Sequence, residues 1–224
     1  MKGRRPEEYE GLVRTVLLML MLVSAYFIVR GGARFVSSPQ VETKRERPCV
    51  IIDAGHGGVD PGKVSVDGAL EKDINLAIAQ KLQRFLQQQD VDAVLTRQSD
   101  AGLYDENASN KKVQDMKNRV ALIEERQPVL TVSIHQNSYH EEYVHGAQVF
   151  YYANSTKSQE LAEMIQQVMA LELDKDNARK AKANDSYYLL KKTSTPIVIV
   201  ECGFLSNYEE AQKLSSELYQ EKVA

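Results

Sequence analysis

The 224-residue chain is long enough for one mid-sized domain and a tail, and its 43% hydrophobic and 26% charged residues are ordinary for a globular protein. Its net charge of −3 hides an asymmetry: residues 1–48 hold nine Lys/Arg against five Asp/Glu, so the remainder is acidic. An acidic folded part, with no basic stripe interleaved with aromatics, argues against nucleic acid as a partner.

Lys2, Arg4 and Arg5 precede a continuous apolar run, Leu17 to Val29 (LLMLMLVSAYFIV). A short apolar run behind basic residues at the N-terminus reads as a signal anchor or a signal peptide. Residues 1–30 are assigned to it. Residues 31–48, ending in VSSPQVETKRERP, read as a polar linker, and residues 49–224 as the folded domain, outside the cytoplasm and either membrane-anchored or secreted.

The first element of that domain is a buried strand, Val50 to Ile52, which runs into Asp53-Ala54-Gly55-His56-Gly57-Gly58, a tight turn that presents His56. Gly57 to Lys63 matches the first seven positions of a phosphate-binding loop, but the eighth is Val64, which cannot ligate magnesium. Nucleotide binding is therefore not expected. Ile74, Ile78, Leu82 and Phe85 recur at helical spacing and predict a helix over Glu71 to Gln89. Asp92 to Arg97 reads as a strand, Ala101 to Lys111 as a loop, and Lys112 to Glu125 as a helix facing inward through Val113, Met116, Val120 and Ile123. Val129 to Ile134 predicts a strand that delivers His135-Gln136-Asn137. A strand over Ala147 to Tyr152, a helix over Ser158 to Leu173 facing inward through Leu161, Ile165 and Val168, and a short strand at Tyr187 to Leu190 follow. Ile197 to Val200 is a strand that ends in Glu201, and a last helix starts near Tyr208. The alternation predicts an α/β single-domain sandwich: a mixed, largely parallel sheet flanked by helices.

Three apolar strands thus each deliver a metal-competent or proton-transferring side chain at the C-terminal end, where open α/β sheets place their sites. Hydrolytic zinc is typically held by three protein ligands, two His and one Glu being a familiar set. His56, His135 and Glu71, at a helix start, could form one, with Glu201 as the proton carrier. Each residue taken singly also has a plain structural reading; the four together favour a metal site. His140 and His145 lie in a Glu/Tyr-rich loop and read as surface residues.

The segments DAGHGGVDPG, GALEKD (Gly68 to Asp73), LTR (Leu95 to Arg97), SIHQN (Ser133 to Asn137) and VECGFLSN (Val200 to Asn207) together resemble the zinc-dependent N-acetylmuramoyl-L-alanine amidases of the AmiC/CwlV type (Amidase_3). The resemblance runs from about Val50 to the C-terminus. It implies cleavage of the amide between the lactyl group of N-acetylmuramic acid and the L-alanine of the peptidoglycan stem peptide. It also implies Zn2+ on His56, Glu71 and His135, with Glu201 catalytic. The short N-terminal segment before a bare catalytic domain, and the stretches NARKAK (Asn177 to Lys182) and Tyr187 to Leu190, look most like the spore germination-specific amidases (CwlD type). Those act on cortex peptidoglycan. Ser138 departs from the family, which often has Ala there.

Arg97, Asn137 and Arg179 are candidates for holding substrate carboxylates or the sugar. The implied partners are peptidoglycan, a membrane through the N-terminal segment, and an activating protein. A zinc peptidase cutting within the stem peptide and a non-catalytic wall-binding domain are the competing readings. Cys49 and Cys202 are expected at opposite ends of their strands, too far apart for a disulfide.

Overall fold

The structure, a computed structural model, describes residues 17, 19–22, 24–26 and 47–224. The chain divides into two units, Met1–Glu46 and Arg47–Ala224. In the first, the described residues are helical and exposed, and the rest of the expected membrane segment lies outside the described residues. Among the described residues no helix is long and apolar enough to cross a membrane.

The second unit is built on six strands: β1 (Cys49–Ala54), β2 (Asp92–Leu95), β3 (Leu130–Asn137), β4 (Gln148–Tyr151), β5 (Lys182–Ala183) and β6 (Ile197–Phe204). Their order is β2-β1-β3-β6-β4-β5. The pairs β2–β1, β1–β3 and β3–β6 are parallel, β6–β4 is antiparallel and β4–β5 is parallel. The sheet is therefore mixed and largely parallel, as expected. Helices α1 (Glu71–Gln88), α2 (Lys111–Arg126), α3 (Thr156–Glu172), α4 (Tyr188–Lys192), α5 (Tyr208–Ser215) and α6 (Glu217–Val223) cover its two faces.

Alternation along the strands sorts the side chains. Val50, Ile52 and Ala54 of β1, Val132 and Ile134 of β3, and Val198, Val200 and Cys202 of β6 meet α1, α3, α5 and α6 in the larger core. Ile51, Ile197 and Ile199 face the other way, onto Met116, Val120 and Ile123 of α2 and Leu189 and Leu190 of α4. By the same period, Asp53, Ser133, His135 and Glu201 belong to this second, smaller face.

Tyr187 to Leu190 is not a strand. Asn184 Oδ1 accepts hydrogen bonds from the backbone N–H groups of Ser186 and Tyr187, at 2.8 and 3.0 Å, and this turn starts α4. Two successive buried leucines cannot share one side of a strand, but a helical turn brings both to the second core. Two expected inward residues differ: Val113 and Val168 are exposed, whereas Met116, Val120 and Ile123 of α2 and Leu161 and Ile165 of α3 pack on the cores as expected, joined by Arg119 of α2 and by Ala162, Gln166 and Met169 of α3. Cys49 and Cys202 are free, as expected.

Candidate active site

The parallel arrangement of β1, β3 and β6 brings their C-terminal ends together. His135 stands beside Glu201 in the β3–β6 register, and a β-bulge follows directly, where Asn137 pairs with Phe204. His56 lies in the turn that leaves β1, with a backbone φ of 62°, a left-handed conformation uncommon for a residue with a side chain. Glu71 opens α1, which packs on the opposite face of the sheet, and its carboxylate reaches over the edge.

The carboxylate is the hub. Glu71 Oε1 lies 3.2 Å from His56 Nε2 and 3.1 Å from His135 Nδ1, and it accepts from the Gln136 N–H at 3.1 Å. The other oxygen, Oε2, accepts from the Lys63 N–H at 2.8 Å. Glycines make the room: a Cβ on Gly62, whose φ is 68°, would run into Glu71 and His56, and one on Gly55 would overlap the His135 ring. One ligand atom from each of His56, Glu71 and His135 lies within 4.8 Å of the others, so the three residues could hold a metal ion. On the far side of its ring, His56 Nδ1 is 3.0 Å from Asp60 Oδ2. A carboxylate that accepts a hydrogen bond from one ring N–H fixes the tautomer and orients the other nitrogen toward a metal. Two imidazoles and one carboxylate form a donor set that suits zinc.

The charges agree with this arrangement. Burial opposes ionisation of Glu71, but hydrogen bonds to His135 and His56 outweigh it and hold the carboxyl far below the usual range. Burial likewise disfavours the His56 cation, yet Glu71 and Asp60 raise its pKa. Glu201 behaves oppositely: burial pushes its pKa up, and the nearby Glu71 charge adds to the effect. Glu201 is only 7% exposed. Its Oε1 accepts from the Tyr187 hydroxyl at 3.4 Å, and its Oε2 has no partner among the described residues. A buried acceptor without a partner marks a place where water or substrate belongs. Burial and Glu201 together push the Tyr187 phenol up to about 12, so it remains a donor.

A cleft runs from this edge between α2 and α4. It is lined by His56, His135 and Glu201 together with Tyr104, Lys112, Met116, Tyr187 and Tyr188.

The structure thus brings His56, Glu71, His135 and Glu201 together, while the side chains of the remaining candidates are engaged with other protein groups. Arg97 does not face the cleft. It is buried, and its guanidinium donates to the carbonyls of Ala54, Gly55, Lys72 and Ser99. Asn137 is half-buried, and its Oδ1 accepts from the N–H of Ser138. Arg179 lies over the Phe204 ring, 4.7 Å from its centroid, and donates to the His145 carbonyl. It lines a separate surface hollow with Glu163 and Gln167. His140 and His145 are exposed, as expected.

Sequence reasoning missed Asp53, Asp60, Arg119 and Tyr187. Two of these had a signal. Asp53 is a carboxylate within an apolar strand, and Arg119 is a cation on the apolar stripe of α2, between Met116 and Ile123.

A family model described as N-acetylmuramoyl-L-alanine amidase (Amidase_3) matches residues 50–224. The germination-specific N-acetylmuramoyl-L-alanine amidase of Bacillus subtilis is 37% identical over 178 residues, 78% of this chain and 74% of the relative. The CwlD amidase of Clostridioides difficile, solved in complex with the GerS lipoprotein, superposes with a TM-score of 0.77 at 41% identity, covering 79% of this chain and 92% of that one. The amidase AmiC2 of Nostoc punctiforme gives a TM-score of 0.67 at 32% identity, over 79% of this chain and 90% of its own.

Proposed function

The chain belongs to the Amidase_3 family of N-acetylmuramoyl-L-alanine amidases, and on that premise we propose that His56, Glu71 and His135 hold a zinc ion while Glu201 moves the protons of the hydrolysis. The observation that carries this reading is the convergence of those three donors from β1, α1 and β3 on one point beside the unpartnered oxygen of Glu201. When bound there, zinc supplies Lewis acidity to the attacking water and to the lactyl carbonyl.

The protein's own groups do the rest. Asp60 keeps the His56 ring turned toward the site through Nδ1. The Lys63 N–H fixes one oxygen of Glu71, so the other stays between the two imidazoles. Glu201 accepts the proton of the attacking water at Oε2 and returns it to the L-alanine nitrogen as the C–N bond breaks. Its raised pKa brings it closer to the pH at which it must both take and release a proton. The products are the lactyl carboxylate on an intact glycan and a stem peptide with a free L-alanine amine.

The kinship with the germination-specific amidase of Bacillus subtilis supports a role in spore cortex modification. Enzymes of the cell wall act outside the cytoplasm, and Leu17 to Val29 anchors the chain to a membrane in this reading. The lipoprotein in the Clostridioides difficile complex supports a protein partner for this chain as well.

Digestion of purified muropeptides, with and without a chelator, is the test. Release of peptides with a free L-alanine terminus, abolished by chelation and restored by Zn2+, is expected. Cleavage that survives complete metal removal would overturn the zinc assignment.

A further inference from the structure

The turn that carries His56 is gripped from beneath. Ala54, Gly55 and His56 present three consecutive carbonyl oxygens, and each is held by a buried side chain. The Ala54 oxygen accepts from Arg97 Nε at 3.0 Å and from Arg119 Nη1 at 2.9 Å. The Gly55 oxygen accepts from Arg97 Nη2 at 3.1 Å and from the Asn75 amide at 3.1 Å. The His56 oxygen accepts from Arg119 Nη2 at 2.6 Å.

Two buried guanidiniums meeting on three successive peptide groups need a compensating charge. Asp53 provides it at the end of β1, accepting from Arg119 Nη1 at 2.5 Å, from Thr96 at 2.8 Å and from Ser133 at 2.6 Å. Asp115, one turn earlier on α2, accepts from Arg119 Nε at 2.7 Å. Arg119 is 1% exposed and Asp53 is 0% exposed, and although both border the cleft their polar atoms are turned to protein partners. A core that needed only stability would be served as well by apolar side chains. What this pair adds is direction: fixed donors aimed at a backbone that sits in an uncommon left-handed conformation at His56.

We propose that Arg97 and Arg119 are positioning residues for the metal: they hold the His56 turn in its ligating conformation before the metal arrives, and so set metal affinity. This rests on the assignment of His56 as a ligand. The planar fork of arginine suits the task because one side chain can serve two carbonyls at once, which a lysine ammonium cannot do with fixed geometry. Groups that orient a metal ligand without touching the metal typically change affinity by about 10- to 100-fold when altered.

The test is chelator-competition titration of Zn2+ on the full chain and its variants, together with the visible absorption of the Co2+-loaded proteins. Arg97→Lys and Arg119→Lys keep the charge and lose the fork. Both should fold, by circular dichroism, bind Zn2+ about 10- to 100-fold more weakly, and show a shifted Co2+ spectrum. Ile123→Val, in the core below the same helix, serves as the control for lost stability and should leave Zn2+ affinity unchanged. Should Arg119→Lys fail to fold, Arg97→Lys decides alone. A folded Arg97→Lys protein with parental Zn2+ affinity, or an equal loss in Ile123→Val, would overturn the proposal. Parental affinity in His56→Ala would instead overturn the ligand assignment beneath it.

Discussion

Glu201 lies within β6, a strand whose every residue is buried, and one of its oxygens lacks a partner among the described residues. Water solvates that oxygen in the unfolded chain, so the ionised carboxylate costs the fold stability. The sign follows from its raised pKa. In the metal-free protein this cost is absent where the group is protonated in both states, and it grows as the pH rises above the ordinary carboxylate range. Glu201→Gln should therefore melt higher than the parent at pH 7 without metal, and the gain should shrink toward pH 4. The same variant should keep its zinc and lose roughly 10²- to 10⁴-fold in turnover. Thermal melts and muropeptide kinetics on one preparation check both halves, and a variant that is no more stable and nearly as active would remove Glu201 from the mechanism.

Among the elements, the β1 turn shows how little space separates a ligand site from a collision. The His135 ring occupies the position that a Cβ on Gly55 would need. Gly55→Ala should therefore displace the imidazole and lose stoichiometric zinc while keeping the parental circular dichroism. Metal analysis by mass spectrometry checks this, and a zinc-replete Gly55→Ala protein would show that His135 is not a ligand. α4 shows the opposite economy: five residues, started by the Asn184 turn, bury Leu189 and Leu190 and place the preceding Tyr187 over the Glu201 carboxylate.

Across the whole molecule, the Asp53–Arg119 pair joins residues 66 apart and ties β1 to α2, with Thr96 after β2 and Ser133 of β3 drawn in. Burial raises the Asp53 pKa, but Arg119 and the Ser133 hydroxyl outweigh it and bring it down to about 2. A depressed carboxylate stabilises the fold fully above its unfolded pKa of about 3.9, and the contribution fades as the pH falls toward that lower value. Asp53→Asn leaves Arg119 without its charge partner and should lose about 3–5 kcal/mol at pH 7. The difference from the parent should narrow below pH 4. Urea unfolding at a series of pH values measures it, and a pH-independent difference would mean that the ion pair is not its source. At the same scale, residues 49–224 alone should be soluble and bind zinc, whereas the full chain should fractionate with membranes. A soluble full chain would remove the anchor.

The sequence by itself determined the fold class, the order of strands and helices outside the stretch from Lys182 to Lys192, and the four residues proposed as the centre of the site. Each of those features is local: an apolar run that stops at a polar residue, or a helical period that starts at an acid. That the ends of β1, β3 and β6 share one edge also follows, because parallel strands joined by helices must point the same way. Only the tertiary structure decided what the remaining polar side chains do. Arg97 reads equally well as a substrate contact or a buried brace until the four carbonyls around it are in place. Tyr187 and Tyr188 are strand-forming types and Leu189 and Leu190 helix formers, and the turn at Asn184 with a core to fill set a helix from Tyr188 onward. Asp53 and Arg119 are separated by far more chain than any periodicity spans. Their pairing exists because α2 packs against β1 and because neither charge can be buried alone.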